Sequence, residues 1–262
     1  MEPGLHRRIY EVEDWLWWCV GTRRIFSDMI SRTGVHGRAL DVGCGSGVMM
    51  KEFPAGWTAV VGCDVSDEAL TLSKERGLRA LVRCQSGALP FASDSLDLVL
   101  AIDVLEHLDD DRGALHEIHR VCRPGGYLLV HVPTFEVLWT DKDDVNHHRR
   151  RYRPRALVEL ITGQGFSVEE TFYLNTVLFP VALLRAAAQR IRRGVQPPVA
   201  PSVGVAVDHL YDIPAGVNRL LTRLMAVEHR LLRRMSLPIG MSMVCLARKR
   251  PSATTDTRIP AA

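Results

Sequence analysis

The chain has 262 residues, of which 47% are hydrophobic and 24% charged, and its formal net charge is +3. This composition excludes a fully disordered chain and supplies enough apolar residues for one α/β domain with an appendage. No stretch reaches the roughly 18 consecutive apolar residues of a membrane span, and the N-terminus has no basic region followed by an apolar run. Secretion and transmembrane anchoring are therefore not expected.

Cysteine usage and charge distribution indicate the cell compartment and the kinds of partner that suit this chain. The six cysteines form no C-x-x-C pair and show no His/Cys metal spacing, which indicates reduced thiols and a cytoplasmic protein. Residues 174–250 contain 12 Lys and Arg but only 3 Asp and Glu. A basic face of this kind suits an anionic lipid surface, nucleic acid or an acidic substrate, or it is simply a solvated helix face.

The chain opens with a helical leader, which we assign to residues 1–34. Its apolar residues, with tryptophan at positions 15, 17 and 18, recur at mixed helical spacing from Leu5 to Arg32. We expect this leader to pack across the functional face of the domain that follows.

A glycine-rich turn comes after the first predicted strand. Arg38 to Val42 has the aliphatic character of a buried strand, and glycines follow at positions 43, 45 and 47. Glycine lets the backbone turn sharply and approach a ligand closely, with free N–H groups facing that ligand. A dinucleotide fingerprint needs a third glycine where Val48 stands, so a nicotinamide or flavin pyrophosphate is the weaker interpretation.

The second predicted strand, Thr58–Cys63, ends in an acidic residue, Asp64. A carboxylate at this end of the strand beside the glycine turn can accept hydrogen bonds from both hydroxyls of a ribose. Its alternative role, capping the helix that starts near Asp67, is less favoured because Ser66 is available for that cap.

Several segments together resemble motifs of class I S-adenosylmethionine-dependent methyltransferases, in particular their small-molecule subgroup. The matching segments are D-V-G-C-G-S-G at 41–47, Q-S-G-A-L-P-F at 85–91, D-V-L-E-H-L at 103–108, R-P-G-G at 123–126 and H-R-R-R-Y at 148–152. The resemblance implies a doubly wound α/β fold with a seven-stranded Rossmann-like sheet. It also implies S-adenosyl-L-methionine as the cofactor and S-adenosyl-L-homocysteine as the product.

The same resemblance implies which residues contact the cofactor. The chain departs from the family loop G-D-A-x-x-L-P-F at Gln85, whose carbonyl can still accept the adenine hydrogen bond that an aspartate usually accepts. Arg23 or Arg24 is expected to pair with the cofactor carboxylate, unless both are plain surface arginines. The full expected set is Trp18, Arg23, Arg24, Asp41, Gly43, Cys44, Gly45, Gly47, Asp64, Val65, Gln85, Ser86, Ala101, Ile102 and Asp103.

Candidate catalytic residues cluster in the loop after the fifth predicted strand. His147 and His148 lie at the rim where open α/β folds bind substrate, and a neutral imidazole can accept a proton near neutral pH. Tyr152 is a possible hydrogen-bond donor to the acceptor, and His107 is a further candidate that is structural in many relatives. We expect no metal site, because adjacent histidines point their side chains apart.

An insertion separates the last two strands, which family members normally join directly. The sixth strand is predicted at Phe166–Tyr173 and the seventh at Met241–Arg248, so the catalytic domain comprises residues 35–173 and 239–250. Residues 174–238 contain two amphipathic helices, Val177–Arg193 and Val217–Met235, separated by the proline-rich stretch Gln196–Pro201. We expect a lid or substrate-recognition subdomain, a dimer contact or a lipid-facing surface, and a disordered tail over 251–262.

The predicted function is methyl transfer to an oxygen or nitrogen of a small secondary metabolite or a short modified peptide. A lipid-linked or sugar acceptor is the alternative, because the insertion is both basic and apolar. Two other classes stay open, a nicotinamide-dependent oxidoreductase and a noncatalytic cofactor-binding module. We expect a monomer or homodimer with possible peripheral lipid contact and without a nucleic-acid partner.

Overall fold

The computed structural model describes residues 5–53, 55–195, 213–232 and 237–251. Its centre is a seven-stranded sheet in the order β3-β2-β1-β4-β5-β7-β6, in which β7 runs antiparallel to both of its neighbours. The strands are β1 Arg38–Val42, β2 Ala59–Asp64, β3 Leu81–Arg83, β4 Leu96–Ile102, β5 Cys122–Pro133, β6 Phe166–Leu174 and β7 Ser242–Lys249. The predicted fold class, an α/β doubly wound sheet of seven strands, is confirmed.

Helices cover both faces of this sheet. Within the described residues they are α1 Leu5–Val12, α2 Trp17–Arg32, α3 Asp67–Glu75, α4 Asp111–Val121, α5 Asp141–Val145, α6 Pro154–Gly163, α7 Phe179–Val195 and α8 Ala215–Leu232. Short 3₁₀ turns occupy Met49–Glu52, Leu105–His107 and Glu136–Leu138. None of these helices is long and apolar enough to cross a membrane.

The central strands are apolar on both sides because both faces are buried. In β4, Val99 and Ala101 belong to the cluster that packs with α4 and α6, whereas Leu98 and Leu100 belong to the cluster that packs with α2. The parallel pairing of Leu40 with Val99 places β1 beside β4 at the middle of the sheet. The carboxyl ends of β1, β2 and β4 therefore lie along one rim.

The structure differs from the sequence-based expectation in two connecting segments. The leader contains two helices, because the chain leaves helical geometry between α1 and α2. The R-P-G-G segment, which follows the end of α4 at Val121, lies within β5. Pairing shifts from Cys122 opposite Leu96 to Tyr127 opposite Leu98, so the extra residues bulge out around Gly125, whose φ is 75°.

The segment after β6 begins at the rim, because β6 runs parallel to β5 and ends at Leu174. Its second helix, α8, packs on α2 and contributes the buried Met225 to the core. Asn218 of α8 also bonds to the backbone of the leader, at Trp15 O (2.9 Å) and Trp17 N (2.8 Å). The stretch Gln196–Pro201 and the predicted tail beyond Pro251 lie outside the described residues.

Candidate cofactor and acceptor site

The glycine turn after β1 leaves open space at one of its three glycines. Gly43, Gly45 and Gly47 have φ values of 66°, 54° and 74°, in the left-handed region that favours glycine. A Cβ at Gly43 would come within 2.6 Å of Val104 Cγ2, and one at Gly47 within 2.8 Å of Ser73 Oγ. A Cβ at Gly45 would meet nothing within 4 Å. The turn is thus fixed by packing on either side and open at Gly45.

Asp64 is bound to this turn at the carboxyl end of β2. Its Oδ2 accepts a hydrogen bond from Gly45 N at 3.0 Å, and its Oδ1 accepts one from Ser66 N at 2.8 Å. Ser66 caps α3 through Ala69 N at 3.3 Å, as the sequence predicted. Each carboxylate oxygen keeps a second lone pair, so both remain able to accept a ribose hydroxyl.

Asp41 and Cys44 are buried beside this turn, whereas Val65 is exposed. Burial, with a further contribution from Asp64, raises the pKa of Asp41 to about 7. Burial likewise raises the pKa of the Cys44 thiol well above its ordinary value. These two side chains therefore suit support of the turn, while Val65 lies open at its surface.

The leader covers the glycine turn, through residues that the sequence did not indicate. Glu13 accepts a hydrogen bond from Ser46 Oγ at 2.5 Å and forms a buried ion pair with Arg76. Arg76 Nε also donates to Ser46 O at 3.2 Å. On α1, burial lowers the pKa of His6, and nearby Asp64 opposes this shift. No local pattern marks Glu13 or Arg76, because their contact joins residues 63 positions apart.

The two leader arginines have other partners than the expected cofactor carboxylate. Arg23 Nη1 donates to Glu13 O at 2.5 Å, and Arg23 Nε lies 3.4 Å from Glu52 Oε1. Arg24 lines a cavity of about 230 Å³ with Met225 and His229 of α8. Arg23 thus holds the leader, and Arg24 lies against α8.

Asp103, directly after β4, is paired with a histidine that sequence reasoning missed. Its Oδ1 lies 2.8 Å from His131 Nδ1, and His131 Nε2 lies 2.8 Å from Ser242 Oγ. The pKa of Asp103 lies below its usual value. Desolvation acts to raise this pKa, but the charge and hydrogen bond of the neighbouring His131 lower it by more. Trp18 packs over His131 with ring centroids 5.9 Å apart. The signal available in the sequence was one polar residue within the apolar run of β5.

Four further residues in the expected cofactor set occupy neighbouring segments. Ala101 and Ile102 are the last paired residues of β4, opposite Val130 and His131. Gln85 and Ser86 begin a turn closed by Ala88 N and Gln85 O at 3.1 Å. Gln85 is exposed and Ser86 half-buried, so the loop is accessible from the rim.

Two of the candidate histidines come together beside Asp103. The rings of His107 and His148 are 4.8 Å apart, and the carboxyl of Glu106 is near both. Burial, followed by the proximity of His148, lowers the pKa of His107 to about 4. Burial and then Asp103 raise the pKa of Glu106 well above its ordinary value.

A buried carboxylate orients His148. Asp143 Oδ1 lies 2.8 Å from His148 Nδ1, and the Asp143 carboxylate also accepts two hydrogen bonds from Arg151, at 2.8 and 3.1 Å. Burial opposes ionisation of Asp143, but the bonds from His148 and Arg151 lower its pKa to about 2. His147, by contrast, is exposed and has a φ of 56°.

Tyr152 is engaged inside the fold. Its hydroxyl lies 2.7 Å from Asp111 Oδ2 and 3.1 Å from Leu105 O, and the side chain is buried. This corrects the expected role as a donor to the acceptor, because the hydroxyl already bonds within the fold. Tyr152 instead ties the segment after α5 to the turn that carries His107.

The sequence around this site is similar to known proteins. A family model described as a methyltransferase domain matches residues 40–130, which include the glycine turn, Asp64 and Asp103. A relative from Mycolicibacterium smegmatis, named a probable S-adenosylmethionine-dependent methyltransferase, is 32% identical over 135 residues, covering 50% of this chain and 52% of that protein. The chain thus spans about half the length of this relative.

Two comparisons extend over more of the chain. The malonyl-[acyl-carrier protein] O-methyltransferase of Enterobacter lignolyticus is 26% identical over 193 residues, covering 71% of this chain and 70% of that protein. A chain from a Haloferax volcanii complex that contains the Trm112 methyltransferase activator superposes with a TM-score of 0.60 at 18% identity, covering 94% of this chain and 95% of that one. The second likeness shows the fold. The family match shows a methyltransferase domain over residues 40–130, and the relative that shares this part of the chain is named a probable S-adenosylmethionine-dependent methyltransferase.

Proposed function

We propose that the protein transfers a methyl group from S-adenosyl-L-methionine to an oxygen or nitrogen of a small acceptor bound at the rim. The observation that carries this proposal is the hydrogen bond between Asp64 and Gly45 N, at the point where the glycine turn leaves open space. This arrangement suits an adenosine whose ribose lies on Asp64.

The donor supplies an electrophilic methyl on its sulfonium, and this chain supplies the positions of donor and acceptor. Asp64 would hold the ribose, and Gln85 and Ser86 are available to the adenine. Asp103, held by His131, would supply a negative charge for the cofactor's ammonium. In-line displacement needs mainly this positioning, and no covalent enzyme intermediate is required.

The acceptor would lie beside Asp103, near His107 and His148. Of the histidines predicted from sequence, His148 has the best-supported role, because Asp143 fixes its ring and leaves Nε2 available. His107 is the second, through its contact with that ring. The exposed His147 is the least supported.

A small secondary metabolite or short modified peptide is the proposed acceptor, with O-methylation supported by the name of the Enterobacter relative. A lipid-linked or sugar acceptor is the second candidate. It is favoured by the exposed apolar side chains of α7, among them Leu184 (72% exposed) and Ile191 (70% exposed), next to exposed Arg185 and Arg192. Because β6 ends at the rim, we propose that α7 acts as a lid over this acceptor. Free thiols at all six cysteines support a cytoplasmic location.

Binding and turnover test this function separately. Calorimetry with the purified protein should show binding of S-adenosylhomocysteine and none of NAD. Mass spectrometry should then find an acceptor that gains one methyl unit. Binding of NAD instead would favour the oxidoreductase alternative, and donor binding without turnover on any acceptor class would favour a noncatalytic module.

A further inference from the structure

The cluster formed by Glu106, His107 and His148 has the composition of a metal site. Glu106 and His107 lie in the 3₁₀ turn after β4, and His148 follows α5. One potential ligand atom from each residue lies within 4.8 Å of the other two. Two imidazoles and one carboxylate are a donor set that proteins use for zinc and related divalent transition metals.

The carboxylate of Glu106 points to a missing partner. Its side chain is 1% exposed, and neither carboxylate oxygen has a hydrogen-bond partner. A buried carboxylate is stable only when it is paired, protonated or bound to a metal. The side chains of two nearby arginines are engaged elsewhere, since Arg150 donates to Asp111 and Arg151 donates to Asp143. A cation between Glu106 and the two imidazoles would satisfy both oxygens.

The second observation is the way His148 is held. Its Nδ1 bonds to Asp143 Oδ1 at 2.8 Å, and Asp143 is fixed in turn by Arg151 and by Thr140 N at 2.8 Å. Metal-binding histidines commonly bond through their other ring nitrogen to a carboxylate in this way. The bond leaves Nε2 of His148 as the nitrogen for a cation.

We propose that Glu106, His107 and His148 bind one divalent transition-metal ion of the zinc type. The three ligands leave a fourth position open, since a tetrahedral ion takes four. The sequence predicted no metal because His147 and His148 are adjacent, but the structure brings His148 to Glu106 and His107 and leaves His147 exposed. With a cation bound, the two imidazoles act as ligands and not as general bases.

Cobalt(II) titration of the metal-free full chain tests the site directly. We expect one Co²⁺ per chain, with visible d–d absorption that saturates at one equivalent, and displacement by Zn²⁺. His148→Ala and Glu106→Gln should each weaken binding at least tenfold. Asp143→Asn, which keeps the three ligands, should weaken it by about 10–100-fold. His116→Ala, an exposed histidine on α4, is the matched control and should bind as the wild type does.

Two outcomes would overturn the proposal. One is the absence of stoichiometric Co²⁺ and Zn²⁺ binding by the folded wild type, which would mean that Glu106 is simply protonated. The other is unchanged binding in folded Glu106→Gln and His148→Ala, with folding checked by circular dichroism. Binding of S-adenosylhomocysteine, measured on the same samples, tests the proposed function independently, so that failure of one is distinguishable from failure of the other.

Discussion

At Gly45 the backbone conformation favours glycine, although the surrounding space would admit a side chain. Its φ of 54° makes any side chain unfavourable by roughly 1–2 kcal/mol, but no atom of the described residues lies within 4 Å of a Cβ built there. We expect Gly45→Val to abolish S-adenosylhomocysteine binding in calorimetry while the protein still folds. Gly47→Val is the contrasting variant, because its Cβ would collide with the side chains of Leu78 and Ser73, and it should lower the melting temperature far more. Wild-type affinity in Gly45→Val would mean that the open space does not hold the cofactor.

Asp64 has hydrogen bonds to the turn in addition to its proposed bonds to the ribose. Asp64→Ala should weaken S-adenosylhomocysteine binding by about 1–3 kcal/mol, the usual effect of losing a polar contact. Asp67→Ala is the matched control, since Asp67 is an exposed carboxylate three positions away whose ion pair is with Arg83. Equal affinities of both variants, measured by calorimetry, would remove Asp64 from the site.

The buried carboxyl of Asp41 makes stability depend on pH. Its pKa is about 7 in the fold against an ordinary value of 3.8, so the folded state binds more protons between these values and Asp41 destabilises the fold as pH rises. The free energy of unfolding of Asp41→Asn minus that of the wild type should therefore increase by about 2–4 kcal/mol when the pH is raised from 5 to 8. Urea unfolding at both pH values measures this difference. The same difference at pH 5 and pH 8 would show that Asp41 stays ionised throughout.

At the scale of elements, one side chain of α8 bonds to the backbone of the leader where α2 begins. Asn218 bonds to Trp15 O and Trp17 N, so that α8 holds the start of α2. Asn218→Ala should lower the free energy of unfolding by about 1–3 kcal/mol, because it leaves two part-buried backbone groups without this partner. Thr222→Ala is the control, since its hydroxyl bonds only to Asn218 O of the same helix. If urea titration shows equally small losses of unfolding free energy in both variants, the Asn218 side chain contributes nothing to stability.

Elements with a strong local pattern were predicted well. The continuous apolar run of β4 could only fit a strand buried on both sides, and the S-D-E segment at Ser66 marked the start of α3. Contacts between distant segments had no such signal. The Glu13–Arg76 ion pair and the His131–Asp103 pair depend on which helix lies over which strand, and a single sequence does not encode that locally.

At the scale of the whole molecule, the seven-stranded sheet followed from the methyltransferase motifs, whereas the packing of the insertion did not. The second described helix of the insertion is part of the core through Met225, so α7 is the candidate lid among the residues that the structure describes. Leu184→Ser, on the exposed face of α7, should raise the acceptor KM and leave S-adenosylhomocysteine affinity within about twofold. Its effect on stability should be within about 0.5 kcal/mol, as for other surface positions. Kinetics with an identified acceptor and calorimetry with the product measure the two effects. Loss of product binding would place α7 at the cofactor.

Three residues at the rim adopt left-handed backbone conformations without being glycine. Asp103, Phe135 and Asn175 follow β4, β5 and β6 with φ values of 53°, 58° and 57°. Phe135 keeps its conformation while its ring stacks on Tyr173. Each conformation costs of order 1 kcal/mol, which the core must offset. A search for thermostable variants would accordingly find that substitution by glycine at these positions raises stability. The same substitutions would make the rim more flexible, whereas the chemistry needs it rigid.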